Sequence, residues 1–82
     1  MHDMTKTKIV LNRLAIVLAE IDMSQKELAT ETGLTEATIS RYSTNERQPS
    51  LEKLNLMANY MKVDWRRLLV PNKFATSDVQ YK

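Results

Sequence analysis

The only glycine of the chain, Gly33, separates two short segments that each have the sequence pattern of a helix. Ser24 and Glu27 begin the first segment with the spacing of a capping box, in which each side chain accepts a hydrogen bond from the backbone N–H of the other. Gly33 can adopt the left-handed conformation that ends a helix and turns the chain sharply. Thr35 is a suitable N-cap for the second segment, which we expect to end at about Tyr42. The sequence therefore predicts two short helices joined by a tight turn.

Apolar residues recur at three- and four-residue steps on both sides of this pair, which is the pattern of amphipathic helices. They predict a first helix over residues 9–21, a fourth over residues 51–61 that Ser50 caps, and a short fifth helix that Asp64 caps. The residues that we expect on the inner faces are Leu11, Leu14, Val17, Leu18 and Ile21 in the first helix, Leu51, Leu54, Met57, Ala58 and Met61 in the fourth, and Trp65, Leu68 and Leu69 in the fifth.

These elements predict an all-α fold, and one glycine with two prolines makes a turn-rich β fold unexpected. A chain of 82 residues is long enough for one small domain and too short for two. We expect a compact five-helix domain over residues 9-70. A flexible N-terminal arm (1-8) would precede this domain, and a short polar C-terminal tail (71-82) would follow it.

The composition excludes several classes of function. The chain has no cysteine, which excludes a disulfide framework, a thiolate zinc site and a cysteine nucleophile. The single histidine, His2, has no second ligand nearby in the sequence, so a metal site is not expected. No catalytic triad or phosphate-binding loop is present, so we expect neither an enzyme nor a cofactor or small-molecule ligand. No apolar run approaches the ~20 residues that a membrane span needs, and no signal-peptide pattern is present. The sequence therefore predicts a cytoplasmic protein without a membrane span.

The second helix of the central pair has few residues that could be buried. Only Ile39, Tyr42 and the small Ala37 are apolar, and the other side chains are short or polar. A helix this short is not stable alone in water. Neighbouring helices must therefore hold it in place, which leaves its polar face free. Ala29 would allow the first helix of the pair to approach it closely. Such a pair can present a helix edge to the major groove of DNA.

The sequence resembles the Cro/C1-type (lambda-repressor-like, Xre family) helix-turn-helix domains over about residues 10–70. The resemblance implies their five-helix fold, double-stranded DNA as partner and a homodimer that acts on transcription. We expect the dimer contacts to come from helix 5 and the C-terminal tail, with Trp65, Phe74, Val79 and Tyr81. The matching stretches are MSQKELA at 23–29, TGLT at 32–35, TISRY at 38–42, RQPSLEKL at 47–54 and VDWRRLL at 63–69.

The resemblance also implies which residues contact DNA. Residues of helix 3 would read bases, with Arg41 bound to guanine or to phosphate and Glu36 accepting from a cytosine amino group. Alternatively, the Glu36 carboxylate would stabilise the helix by interacting with the positive end of the helix dipole. The remaining residues would grip the phosphate backbone and so position the protein, and Lys53 is a weaker candidate for that role. The full set is Ser24, Gln25, Thr35, Glu36, Ala37, Thr38, Ser40, Arg41, Thr44, Asn45 and Arg47.

Two features of the sequence depart from the family pattern. Many members pair an arginine of helix 1 with a glutamate at the end of helix 3, and these positions are Leu18 and Ser43 here. Because both charges are missing together, we expect an apolar contact in their place. The common Asn-Gly after helix 3 is replaced by Thr44 and Asn45, and asparagine tolerates the left-handed conformation that the turn needs.

The charge distribution leaves a second function open. The chain has a net charge of +2, but residues 24–48 carry three basic and four acidic side chains. A strong non-specific attraction to DNA is therefore not expected from this region. The alternative is a protein-interaction adaptor, for example an antitoxin, that keeps the same fold.

Overall fold

The computed structural model of the chain describes residues 9–72, and in this range it confirms the all-α class. It contains four α-helices, α1 (Leu14–Glu20), α2 (Gln25–Thr32), α3 (Glu36–Ser43) and α4 (Leu51–Met61), followed by a 3-10 helix (Trp65–Leu68). The predicted arm (1-8) and residues 73–82 of the predicted tail lie outside the described residues.

Each of the five elements contributes at least one side chain to a single apolar core. Helix α2 packs against α3 and α4, α4 packs against the 3-10 helix, and α1 packs against α3 and the 3-10 helix. Because α3 contributes Ile39 and Tyr42 to this core, it is braced as its short length requires. The core residues are Leu14, Val17, Leu18, Leu28, Ala29, Ile39, Tyr42, Leu54, Met57, Ala58, Met61 and Leu68.

The predicted helix ends of the central pair are confirmed. The Ser24 hydroxyl accepts from the Glu27 backbone N–H, and the Glu27 carboxylate accepts from the Ser24 N–H, both at 2.9 Å. Gly33 ends α2 with a φ of 79°, and a Cβ built at this position would meet nothing within 4 Å. Glycine is therefore needed for its backbone conformation and not for space. Thr35 caps α3 as predicted, since its hydroxyl accepts from the Thr38 N–H.

The prediction for the first helix was too long. Helix α1 begins at Leu14, and the side chains of Ile9, Val10 and Leu11 are exposed by 67%, 58% and 49%. These residues form an extended segment that pairs with the chain after the 3-10 helix. The Arg13 N–H donates to the Leu68 carbonyl at 2.8 Å, and the Val70 N–H donates to the Leu11 carbonyl at 3.0 Å. Because backbone groups of Leu11 and Arg13 bond to this part of the chain, the helix begins only after Arg13.

The fifth helix also differs from the prediction. It is a 3-10 helix in which only Leu68 is buried, whereas Trp65 and Leu69 are exposed by 38% and 39%. Asp64 caps it as predicted by accepting from the Arg66 N–H at 2.8 Å. The side-chain hydrogen bond from Arg66 lowers the pKa of Asp64 from 3.8 to about 2. Leu51, which we expected on the inner face of α4, is the first residue of that helix and is 67% exposed.

Leu18 and Ser43 occupy the two positions at which many family members have a charged pair. Leu18 is buried, and Ser43 Oγ is buried without a hydrogen-bond partner in the described part of the chain. Such a group loses its hydration without compensation, so we expect Ser43→Ala to raise the free energy of unfolding by about 1 kcal/mol. Ser40→Ala in the same helix is the matched control, because it gains only about 0.5 kcal/mol of helix propensity. Urea unfolding measures both, and a less stable Ser43→Ala variant would show that the hydroxyl has a partner.

Candidate nucleic-acid interface

The free face of α3 lies opposite the residues that hold it in the core. Ile39 and Tyr42 point inward, and residues 36, 37, 40, 41 and 44 follow the opposite side of the helix at its 3.6-residue period. Glu36, Ala37 and Arg41 are exposed on this side, and Ser40 is half-buried. The structure therefore places most of the predicted helix-3 site residues on one face, which we call the reading face (Glu36, Ala37, Ser40 and Arg41), with Thr44 next to its C-terminal end.

Thr35 and Thr38 lie at the edge of the reading face and bond to each other. The Thr35 hydroxyl accepts from the Thr38 N–H at 3.1 Å and donates to the Thr38 hydroxyl at 2.8 Å. Thr35 is thus occupied by capping. Thr38 is half-buried, and its hydroxyl hydrogen is free to donate.

The start of α2 supplies the predicted anchoring residues. Ser24 is exposed and Gln25 is half-buried at this helix start. Backbone N–H groups of a first helical turn point outward and favour an anion such as phosphate. The Glu27 carboxylate, which is bonded back to Ser24, already places a negative charge there. An anion at this helix start would therefore accept hydrogen bonds from the backbone N–H groups. The Glu27 charge would weaken its attraction to the positive end of the helix dipole.

The loop after α3 has the backbone conformation that the sequence predicts. Asn45 is left-handed with a φ of 63°, and its side chain bonds to the chain before α1. Its Oδ1 accepts from the backbone N–H groups of Leu11 and Asn12 at 2.9 and 3.1 Å. Its Nδ2 donates to the Asn12 carbonyl at 3.2 Å. The structure therefore adds Asn12 to the site region, and the signal for it was a polar residue inside the apolar stretch IVLNRL.

The arginines of the chain differ in their partners. Arg67 bonds to Glu20 and Arg66 bonds to Asp64, each at 2.7 Å. Arg41 and Arg47 are exposed, and within residues 9–72 their guanidinium groups have neither an ion pair nor a hydrogen bond. These two side chains are therefore available to an external anion or to a base edge.

Neither a candidate metal site nor a membrane-spanning helix is found in the described part of the chain. No group of three histidine, cysteine, aspartate or glutamate side chains there could hold a metal ion. Each helix between residues 9 and 72 is too short or too polar to cross a lipid bilayer.

A family model described as helix-turn-helix matches residues 14–68, which is more than half of the chain. The chain belongs to the Cro/C1-type helix-turn-helix family. A crystal structure of a Bacteroides fragilis protein, described provisionally as DNA-binding, is 42% identical with a TM-score of 0.72. The match covers 76% of this chain and 100% of that chain. Curated proteins include no match to this sequence.

The residues that match the family model do not include the segment before α1. The match begins at Leu14, the first residue of α1, and ends at Leu68, the last residue of the 3-10 helix. Residues 9–13 precede it, although their backbone bonds to Asn45 in the loop after α3. This helix-turn-helix protein therefore supports that loop with a segment that the family model does not include.

Proposed function

We propose that this chain is a sequence-specific DNA-binding transcriptional regulator that reads the major groove with α3. The observation that carries the proposal is an exposed Arg41, without a partner among residues 9–72, on the reading face of a helix whose other side is fixed in the core. The family of the chain supports it, and so does the related Bacteroides fragilis protein. A DNA partner also favours the cytoplasm as the place of action.

The reading face would supply the base contacts. Arg41 can bond in bidentate fashion to guanine, and Glu36 can accept from a cytosine amino group. Ala37 and the methyl group of Thr38 can contact a thymine methyl, and Ser40 can bond to either kind of base. Each of these contacts distinguishes base pairs in the major groove, so together they would give sequence preference.

Residues around the reading face would hold the phosphate backbone. Ser24 and Gln25 lie at the start of α2, and Thr44 and Arg47 lie in the loop after α3. Such contacts fix the register of a protein on the duplex without reading its sequence. Arg47 is the strongest candidate for a phosphate contact among these residues, because its exposed guanidinium has no partner in residues 9–72.

We also propose that the protein acts as a homodimer through the region of the 3-10 helix and the C-terminal tail. Trp65, Leu69 and Val70 are exposed by 38%, 39% and 37%, and burial between two copies would remove this apolar surface from water. Two copies related by a two-fold axis would place their α3 helices in half-sites about one helical turn apart. Light scattering tests this, and a single-chain mass at high concentration contradicts it.

A salt titration tests the DNA-binding proposal. The affinity for a labelled DNA duplex should fall with salt, with a slope of log K against log salt of about −0.9 per phosphate contacted. Arg47→Ala should reduce that slope by about 1. Lys62→Asn is the control, because it removes an equal charge at the left-handed end of α4 and keeps a residue that tolerates this conformation. An affinity that does not change with salt contradicts the proposal.

The second candidate is a protein-interaction adaptor, for example an antitoxin. The observation that favours it is the excess of acidic over basic side chains in residues 24–48, four against three. This candidate predicts that no DNA sequence is preferred and that Arg41→Ala changes no DNA affinity. Affinities of the wild-type and Arg41→Ala proteins for several different duplexes therefore separate the two candidates.

A further inference from the structure

We propose that Asn12, Asn45 and Gln48 form an amide cluster that positions the loop after α3, and with it Arg47, for contact with the DNA backbone. The inference rests on the proposed DNA-binding function. It makes the segment before α1, which lies outside the family-matched residues, part of the binding machinery. It also gives Asn45 a positioning role in place of the direct phosphate contact that the sequence predicted.

Asn12 joins α1, α3 and the loop. It is 4% exposed and is the one polar residue that is buried among residues 9–72. Its Nδ2 donates to the Tyr42 carbonyl at 3.0 Å and to Gln48 Oε1 at 2.7 Å. Its Oδ1 accepts from the Leu14 N–H at 3.0 Å, at the start of α1. A single side chain therefore fixes the last turn of α3 and the far end of the loop to the start of α1.

Asn45 and Gln48 complete the cluster from the loop itself. Gln48 Nε2 donates to Asn45 Oδ1 at 3.0 Å and to the Ile9 carbonyl at 3.4 Å. Asn45 Oδ1 also accepts the two backbone N–H groups of Leu11 and Asn12. Both ends of the loop are thus bonded to one extended segment. That segment is itself held by its pairing with residues 68–70.

Arg47 lies between the two anchored positions. The backbone N–H groups of Glu46 and Arg47 both donate to the Arg41 carbonyl, at 3.0 and 3.2 Å, so the loop folds back on the end of α3. The Arg47 side chain extends from this fixed backbone as an exposed cation. A loop that is ordered before binding does not lose that conformational freedom when it meets DNA, so its contacts contribute more to affinity.

The decisive variant is Gln48→Ala, because Gln48 is exposed and its truncation removes its bonds to Asn12, Asn45 and Ile9 without opening the core. We expect it to weaken binding of a DNA duplex by about three- to tenfold, the cost of ordering one or two side chains on binding. Asn12→Ser is a second variant, whose short hydroxyl can still accept from the Leu14 N–H but cannot reach Tyr42. Asn55→Ala, at an exposed amide of α4, is the matched control and should leave the affinity unchanged.

A double-mutant cycle with Arg47→Ala separates positioning from general destabilisation. If the cluster acts through Arg47, Gln48→Ala should change the affinity by less than about twofold once Arg47 is alanine. Additive effects in the cycle, or full affinity in Gln48→Ala, overturn the positioning role while the wild-type protein still binds DNA. Absence of wild-type binding overturns the proposed function and this role with it.

A measurement without DNA tests whether the amide cluster holds the loop after α3 in place. In NMR relaxation, the amides of Glu46 and Arg47 should become more mobile on the nanosecond timescale in Gln48→Ala and not in Asn55→Ala. Unchanged order in both amides would show that the cluster does not hold the loop, and would overturn the inference whatever the DNA result.

Discussion

Arg41→Ala is expected to weaken binding of the preferred DNA duplex by about 10- to 100-fold, the range for loss of one bidentate contact to a base. Arg41 is exposed on the reading face and has no partner among residues 9–72, so its removal costs a DNA contact and not an internal one. The free energy of unfolding should therefore stay within about 0.5 kcal/mol of wild type. Fluorescence anisotropy with a labelled duplex measures the first quantity, and urea unfolding measures the second.

Arg41→Lys distinguishes the two roles that we consider for this residue. If Arg41 contacts phosphate as a point charge, lysine should restore most of the affinity. If it reads a guanine with its planar guanidinium, lysine should restore less and the base preference should weaken. Equal affinity of the wild-type and Arg41→Ala proteins, at several salt concentrations, would contradict both roles.

Ile39→Ala is expected to lower the free energy of unfolding by about 2–5 kcal/mol, because it opens a cavity in the middle of the core. Ile39 is fully buried, and with Tyr42 it holds α3 against the rest of the domain. Whole proteins are commonly stable by only about 5–15 kcal/mol, so a domain this small can lose much of its folded population. DNA binding should fall in proportion to the folded fraction.

Ile16→Ala is the matched control for this substitution. It makes the same chemical change in α1, at a side chain that is 51% exposed, and should cost well under half as much. Urea unfolding of both variants at one temperature gives the comparison. Equal losses of stability would mean that α3 is not fixed by the core in the way the structure describes.

The central pair of helices could be predicted because its signals are local in sequence. The capping box of Ser24 and Glu27, the left-handed Gly33 and the Thr35 cap each act within one turn of helix. The start of α1 could not be predicted in this way. The apolar spacing continues through residues 9–11, but Leu11 and Asn12 pair with the chain at Leu69 and Val70, which no local pattern indicates.

The resemblance to the family names the candidate site residues, and the structure adds which of their side chains have partners in the protein. The resemblance proposes Arg41 and Arg47 as DNA contacts, and these stay predictions. Only the structure distinguishes them from Arg67, which is paired with Glu20 from a distant part of the chain. Contact of Asn45 with the DNA backbone stays a prediction. The structure adds that its side chain bonds to residues 33 and 34 positions away, and a sequence motif does not indicate such contacts.

Selection of bound duplexes from a random DNA pool tests the DNA-reading role of α3 most directly. The wild-type protein should enrich a short motif, repeated as a palindrome with half-sites about one helical turn apart if it binds as a dimer. Arg41→Ala, selected from the same pool, should yield a motif that has changed at one or two base pairs, those that Arg41 reads. The absence of any enriched motif would contradict the assignment of α3 as the reading helix, and the same motif from both proteins would contradict a base-reading role of Arg41.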